Sequence, residues 1–296
     1  MAATADPGAL TRGPFPGLGA RTRVSSRVRA LRPAVALAVL YLTVIAIASI
    51  APSLLTSGDP LAVNLDTSLQ APSLEFPFGT DQSGRSVYTR VIYGARESVL
   101  IGIGATAVGL GLAALLGVAA GLGGKLVDGG INRLLEVLFS FPGLLLALFL
   151  VAIFGSGVST QIIAVGIASA PGYARMIRGR VLQVKGADYV IASRALGHPP
   201  RRTLLRTILP NAFRPLVVLA TLGVGQSIVW ASALSFLGLG VAPPAPEWGA
   251  MLDAGRDYIQ TAWWLTVFPG AAIVAFTLAA TCLGRYLQQR IEGEGT

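Results

Sequence analysis

The stretch SVLIGIGATAVGLGLAALLGVAAGLGG, residues 98–124, contains no Asp, Glu, Lys, Arg or His. About 20 apolar residues in a helix span the hydrocarbon core of a bilayer. A charge at mid-bilayer costs ~2.5–3.5 kcal/mol or more. A run of this length without charge therefore reads as a membrane-crossing helix. Windows 33–58, 137–174, 215–246 and 258–284 are equally charge-free. The window 137–174 is too long for one helix, and Gly155-Ser156-Gly157 supplies a turn within it. The pattern predicts an all-α, polytopic membrane protein with six spans, at 33–55, 98–122, 134–154, 159–177, 214–236 and 263–284. Composition agrees. The chain has 296 residues, 53% of them hydrophobic and 12% charged, against about 25% charged in soluble domains.

The flanks of these spans set an orientation. With the N-terminus inside, inner segments carry 19 of the 23 Lys and Arg residues, and the 173–214 segment is the richest. The positive-inside rule then places both termini in the cytoplasm of a cell that holds the chain in its inner membrane. The net charge of +9 is this bias. It is not a nucleic-acid footprint, because the arginines are spread over separate loops. The outer segments carry Asp59, Asp66, Glu75, Asp81, Glu97, Glu247, Asp253 and Asp257, a solvated acidic face or a docking surface.

The resulting organisation is a tail at 1–32, a first span at 33–55, an external loop at 56–97, a core at 98–284 and a tail at 285–296. The first span is read as retained: an Arg-bearing tail precedes it, and its apolar run exceeds a signal-peptide h-region. Residues 1–22, rich in Gly, Pro, Ala and Thr, read as disordered. Residues 83–97 alternate Val87, Tyr88, Val91, Ile92 and Tyr93 with Arg85, Arg90 and Arg96, which predicts an amphipathic helix lying at the interface. Ala105, Gly109, Ala113, Gly117 and Gly121, and likewise Gly223, Ser227, Ala231 and Ser235, recur every four residues. Such stripes let helices approach closely, here within the chain or against a second subunit.

The inner loop 178–212 is too patterned for a connector. Asp188 reads as an N-cap, Tyr189 to Leu196 as a short helix, and Gly197 as its C′ residue, where positive φ is needed. Pro199 and Pro200 stop that helix, and a second one is expected over 201–209, with Pro210 opening the fifth span. A helix of two turns is not stable alone in water and must pack on something.

This loop resembles the EAA loop of the permease subunits of ATP-binding-cassette importers. Ala192 and Ser193 stand at the two alanines, Gly197 at the glycine, and Leu209-Pro210 at the closing pair. Ile191 stands where the family has Glu, and Thr207 where it has Ile. Phe78-Gly-Thr-Asp-Gln-Ser-Gly-Arg85, Tyr93-Gly-Ala-Arg96, Phe141-Pro-Gly143, Pro171-Gly-Tyr-Ala-Arg175, Ser235-Phe-Leu-Gly-Leu-Gly240 and Pro246-Glu-Trp-Gly249 extend the likeness. Together they are similar to the second permease of dipeptide/oligopeptide importers and of the related nickel permeases. The resemblance implies the type I importer permease fold and a homologous permease partner. It implies two cytoplasmic ATPases carrying ATP and Mg, and an external binding protein that delivers a peptide. It also implies that Asp188, Tyr189, Ile191, Ala192, Ser193, Arg194, Ala195, Leu196 and Gly197 form the helix that couples to an ATPase.

Nothing suggests catalysis on this chain. Gly124-Lys125 is followed by Leu126, and Ala119 stands where a P-loop needs its first glycine. There is no His/Cys/carboxylate cluster for metal; Cys282 reads as apolar filler and His198 as a surface histidine. Gln226, Ser227 and Trp230, with Ser232, are candidates for the pathway lining, while Glu136 reads as the local partner of Arg133. The competing reading is a carrier driven by an ion gradient, which usually has intramembrane ionisable residues and internal repeats.

Overall fold

The protein is seen in a computed structural model that describes residues 22–293, with side chains from 33 to 291. Among the described residues it is helical, without strands. The long helices are α1 (Thr22–Ile50), α2 (Val87–Leu122), α5 (Val158–Lys185), α9 (Leu216–Leu234) and α11 (Trp264–Gly293). Shorter ones are α3 (Lys125–Phe139), α4 (Gly143–Phe154), α6 (Asp188–Ala195), α7 (Pro200–Thr203), α8 (Leu209–Phe213) and α10 (Trp248–Gly255). The expected disorder at 1–22 falls almost wholly outside the described residues.

Side-chain register fixes the direction of each helix. Gly104 faces Ile162, Gly109 faces Ser169, Gly117 faces Ala174 and Ile177, and Gly121 faces Val181, so α2 and α5 run parallel. Gly102 faces Ile228 and Gly223 faces Thr106, so α9 runs against α2. Gly225 faces Thr277 and Gly284 faces Leu222, so α11 runs against α9. The parallel pair requires α3 and α4 to return the chain once across the membrane. By length and composition, α1 from Pro33, α2, α9 with its following turn, and α11 can cross a membrane, and α3 with α4 can form a fifth, bent span. Gln161, Ser169 and Tyr173 make α5 more polar than these, but it packs beside α2 from Gly104–Ile162 to Gly121–Val181.

Both small-residue stripes pack inside the chain. Ala105, Gly109, Ala113, Gly117 and Gly121 are buried, as are Gly223, Ser227, Ala231 and Ser235. A Cβ on Gly117 would sit 2.7 Å from the Ala174 carbonyl oxygen and 2.9 Å from the Ile177 side chain. Backbone cannot yield without moving α5. Gly117→Val is expected to destabilise the purified protein by ~1–3 kcal/mol, read as a lower Tm in detergent; Gly111→Val, where a Cβ meets nothing within 4 Å, is the control.

Three expectations are corrected. Residues 83–97 do not form a separate interfacial helix: Ser86 caps α2, its Oγ accepting from Thr89 N at 3.4 Å, and the helix continues unbroken to Leu122. Val87, Thr89, Arg90 and Val91 are buried by protein rather than laid on headgroups. The expected span 134–154 is broken, because α3 and α4 meet at 85°. Pro142 is the cause, since the residue before a proline is pushed out of helical conformation. Charges at Lys125, Asp128, Arg133 and Glu136 keep α3 off the apolar path of α4. Finally, α1 starts at Thr22 and α11 runs to Gly293, so the helices extend beyond the apolar windows at both ends of the chain.

One end of the bundle is closed by a polar lattice. Asp81 is 5% exposed, with Oδ2 2.7 Å from Arg85 Nε and 3.6 Å from Arg90 Nε. Arg90 also donates to the carbonyls of Pro60, Pro244 and Ala245. Glu247 caps α10 by accepting from Gly249 N and Ala250 N, and Ser98 Oγ donates to it at 3.1 Å. Trp248, fully buried, donates Nε1–H to the Val91 carbonyl at 2.8 Å. Two motifs far apart in sequence, at 78–85 and 246–249, are thus joined through the first turns of α2.

Candidate functional site

At the other end, where α2, α5 and α11 finish and α9 begins, the chain leaves α5 at Gly186 and enters α6. The N-cap is Ala187, with extended backbone and no side-chain cap; Asp188, expected as the N-cap, is the first helical residue, so the helix begins one residue earlier than expected. Its carboxylate still lies in the first turn, where the helix dipole favours negative charge. Gly197 has φ +77°. Its N–H donates to the Arg194 carbonyl at 2.9 Å, and that of His198 donates to the Ser193 carbonyl at 3.3 Å. These two bonds make a Schellman motif, which an L side chain at 197 would strain. Ser193 Oγ lies 3.1 Å from His198 Nδ1 and 3.3 Å from Thr203 Oγ1, tying α6 to α7. His198, read as a surface histidine, is therefore half-buried and partnered.

Val190 is the one buried residue of α6, against Val184, Ile208, Leu122 and Leu204. Tyr189, Ile191 and Leu196 are 48%, 55% and 77% exposed. Asp188, Ala192, Arg194 and Ala195 are also exposed. An eight-residue helix held by one side chain, with apolar groups turned outward, fits a surface meant to be covered. Ile191, at the family's Glu position, is among the uncovered residues.

The mount under α6 is firm. Arg178 Nε and an Nη donate to the two Asp128 oxygens, each at 2.6 Å, in a bidentate pair that joins α5 to α3. Arg178 holds the Asp128 carboxyl below the usual carboxylate range, chiefly through those hydrogen bonds. Lys185 Nζ donates to the Gly121 carbonyl at 3.4 Å. The helix expected over 201–209 is instead α7, a π turn at Leu204–Ile208, and α8. Pro210 has no N–H for the preceding turn and its ring crowds the carbonyl four residues back, so the helix widens before it. Pro210 therefore lies within α8, and α9 opens after Pro215.

The pathway candidates separate. Gln226 is exposed on the open side of α9 with Val229, and Trp230 is half-buried over Gly143 of α4. Ser227 faces the other way: it is 3% exposed and its Oγ lies 3.1 Å from Thr106 Oγ1. Its hydroxyl joins α9 to α2 and does not line an open face. Ser232 is buried as well, without a hydrogen-bond partner for Oγ among the described residues. A residue not singled out from sequence is Gln161, fully buried, whose Nε2 donates to Ser235 Oγ at 2.9 Å and to the Ala231 carbonyl at 3.3 Å. Its signal was present, as the only side-chain amide in the charge-free window 137–174.

The family described as binding-protein-dependent transport system inner membrane component matches residues 113–293. The chain belongs to that family. It is 40% identical, over 84% of its length and 81% of the relative's, to the dipeptide transport system permease protein DppC of Alkalihalophilus pseudofirmus. It is 42% identical to the di/tripeptide transport system permease protein DppC of Pseudomonas aeruginosa, over 76% of the chain and 74% of the relative. It is 38% identical to the glutathione transport system permease protein GsiD of Pectobacterium atrosepticum, over 88% and 86%. Among solved structures, the inward-facing MetNI methionine ABC transporter matches with TM-score 0.54 at 19% identity, over 68% of this chain and 96% of that one. An amino acid ABC transporter matches with TM-score 0.55 at 16% identity, over 69% and 94%. These two structures establish the importer permease fold. The matches give no support to an ion-gradient carrier.

Proposed function

We propose that this transport component is one of two permease subunits of an ATP-driven importer of peptides. It would form half of the pathway with a homologous permease, above two ATPases that hold ATP and Mg, and would receive solute from an external binding protein. The carrying observation is α6, a short helix with one buried anchor and an uncovered apolar face. Closure of the ATPases on ATP would push α6. Val190 and the Asp128–Arg178 pair would pass that movement to α2, α3 and α5, and a rocking of packed spans would expose the pathway to alternate sides. The peptide class rests on the names of the relatives. Gln226 and Trp230 are the side chains of this chain offered to the pathway, and Gln226→Ala is expected to alter uptake or solute preference.

The test is a mild-detergent pull-down from the native membrane, with partners identified by mass spectrometry, beside Gly197→Val. A β-branched residue at positive φ costs ~1–2 kcal/mol or more and undoes the turn that ends α6. The parent should bring down a second permease and ATPases, and the variant should keep the permease and lose the ATPases. Recovery of the chain alone, under conditions that preserve a known complex, would overturn the reading. Orientation is tested separately. In a Cys282→Ser background, cysteines at Ser73 and Ala242, both exposed, should react with an impermeant thiol reagent from outside, and one at Ala195 should not. The reverse pattern would invert the topology.

A further inference from the structure

The end of the bundle that carries α6 also carries a groove, bounded by the last turns of α5, the first turns of α9 and the end of α11. Its floor is apolar: Met176 from α5, and Val218, Leu219 and Leu222 from α9. Its rim is cationic, with Arg180 on α5 and Arg214 at the entrance to α9. Among the described residues no carboxylate lines the groove, and neither arginine has an ion-pair partner there. Among the described residues Arg180 donates to Gln183 Oε1, at 2.7 Å. Polarity therefore changes along the helix axes. Guanidinium groups stand where α9 emerges, and the floor runs from there down to Leu222, two helical turns further in.

A soluble anion would satisfy the rim and leave the floor bare; an apolar helix would cover the floor and leave two charges unmatched. An anionic amphiphile meets both. We propose that this groove binds a membrane phospholipid with an anionic headgroup, its phosphate between Arg180 and Arg214 and the start of an acyl chain along Met176, Leu219 and Leu222. Planar guanidinium groups suit phosphate oxygens, and basic pockets between membrane helices are a recurrent mode of lipid headgroup recognition. The cavity volume, about 500 Å³, is in the range of small-molecule sites.

The test uses the complex as extracted from its membrane and placed in nanodiscs of equal parts dioleoylphosphatidylglycerol and dioleoylphosphatidylcholine. Lipid retained after release is counted by native mass spectrometry. The parent should retain phosphatidylglycerol in preference. Arg180→Gln/Arg214→Gln should lower that retention by about tenfold or more, the scale set by two near-surface cationic contacts. Leu219→Trp, which fills the floor and keeps both charges, should lower it similarly. Arg201→Gln/Arg202→Gln, the same charge change on α7, should leave it intact. Equal retention of both lipids by the parent, or an equal loss in the α7 control, would overturn the site in favour of diffuse attraction. An unaffected Leu219→Trp would do the same. Efficient cross-linking of Leu219→Cys to a neighbouring permease in the native membrane would assign the groove to a subunit contact instead.

Discussion

Ile191→Asp/Leu196→Asp is expected to abolish ATP-driven uptake while the chain still inserts and folds. The two side chains are 55% and 77% exposed, and neither belongs to the cluster that anchors α6 through Val190. Substitutions at such positions usually change stability by no more than about 0.5 kcal/mol. The proposed contact with an ATPase is another matter. An apolar residue central to an interface is worth ~2 kcal/mol or more on truncation, and a carboxylate left there unpaired adds a desolvation cost. Two such losses come to ~4 kcal/mol, about a thousandfold in association. The measurement is uptake of a labelled dipeptide in whole cells, with the amounts of chain, sister permease and ATPases recovered from the membrane. Parental uptake with both aspartates in place would remove α6 from the contact. Val190→Asp would lose uptake too, but by unseating the helix, and the chain should then be recovered in lower amount.

The turn at Gly197 and the crossing helices were legible in the sequence for one reason: each follows from a strong, local penalty. An L residue at φ +77° is strained whatever surrounds it, and a charge in hydrocarbon is costly at any address. What was not legible depends on partners distant in the chain. Residues 87–97 look amphipathic because Arg90 is polar, but Arg90 is covered by the carbonyls of Pro60, Pro244 and Ala245. Two of those three carbonyls lie 154 and 155 positions away. Gln226 and Ser227 are neighbours in a helix that is apolar nearly all round, so periodicity cannot say which side is open; Thr106 decides it by bonding Ser227. Asp188 missed the N-cap by one residue, the usual error at helix ends. The break between α3 and α4 does have a local signal in Pro142, but the absence of charge over 137–174 masks it.

The largest loss of stability is expected at the opposite end of the bundle, from Asp81→Ala. Asp81 Oδ1 accepts from Ser83 N at 2.8 Å and Arg85 N at 3.0 Å, and Oδ2 meets Arg85 Nε at 2.7 Å. Arg85 and Arg90 are 9% and 5% exposed, so the carboxylate is the counter-charge of two buried guanidinium groups. Removing it leaves both cations in place with only carbonyl dipoles beside Arg90. Breaking a buried pair from one side costs ~3–5 kcal/mol, which for a chain of this size is a fall in Tm on the order of 5–10 °C. The loss should appear in thermal unfolding of the purified protein in detergent. It should also loosen the segment before α2, since the Asp81 and Arg85 backbones pair there at 2.9 Å. Charge, rather than the lost hydrogen bonds, should dominate, and a double-mutant cycle separates them. Asp81→Ala/Arg85→Gln removes one of the two unmatched cations and should recover part of the deficit, although it deletes a further hydrogen-bonding group. If the double variant is less stable than Asp81→Ala by the full cost of Arg85→Gln alone, the pair is not coupled. The lattice would then be held by the carbonyls that Arg90 reaches, and the carboxylate would serve only to shape the turn at 81–85.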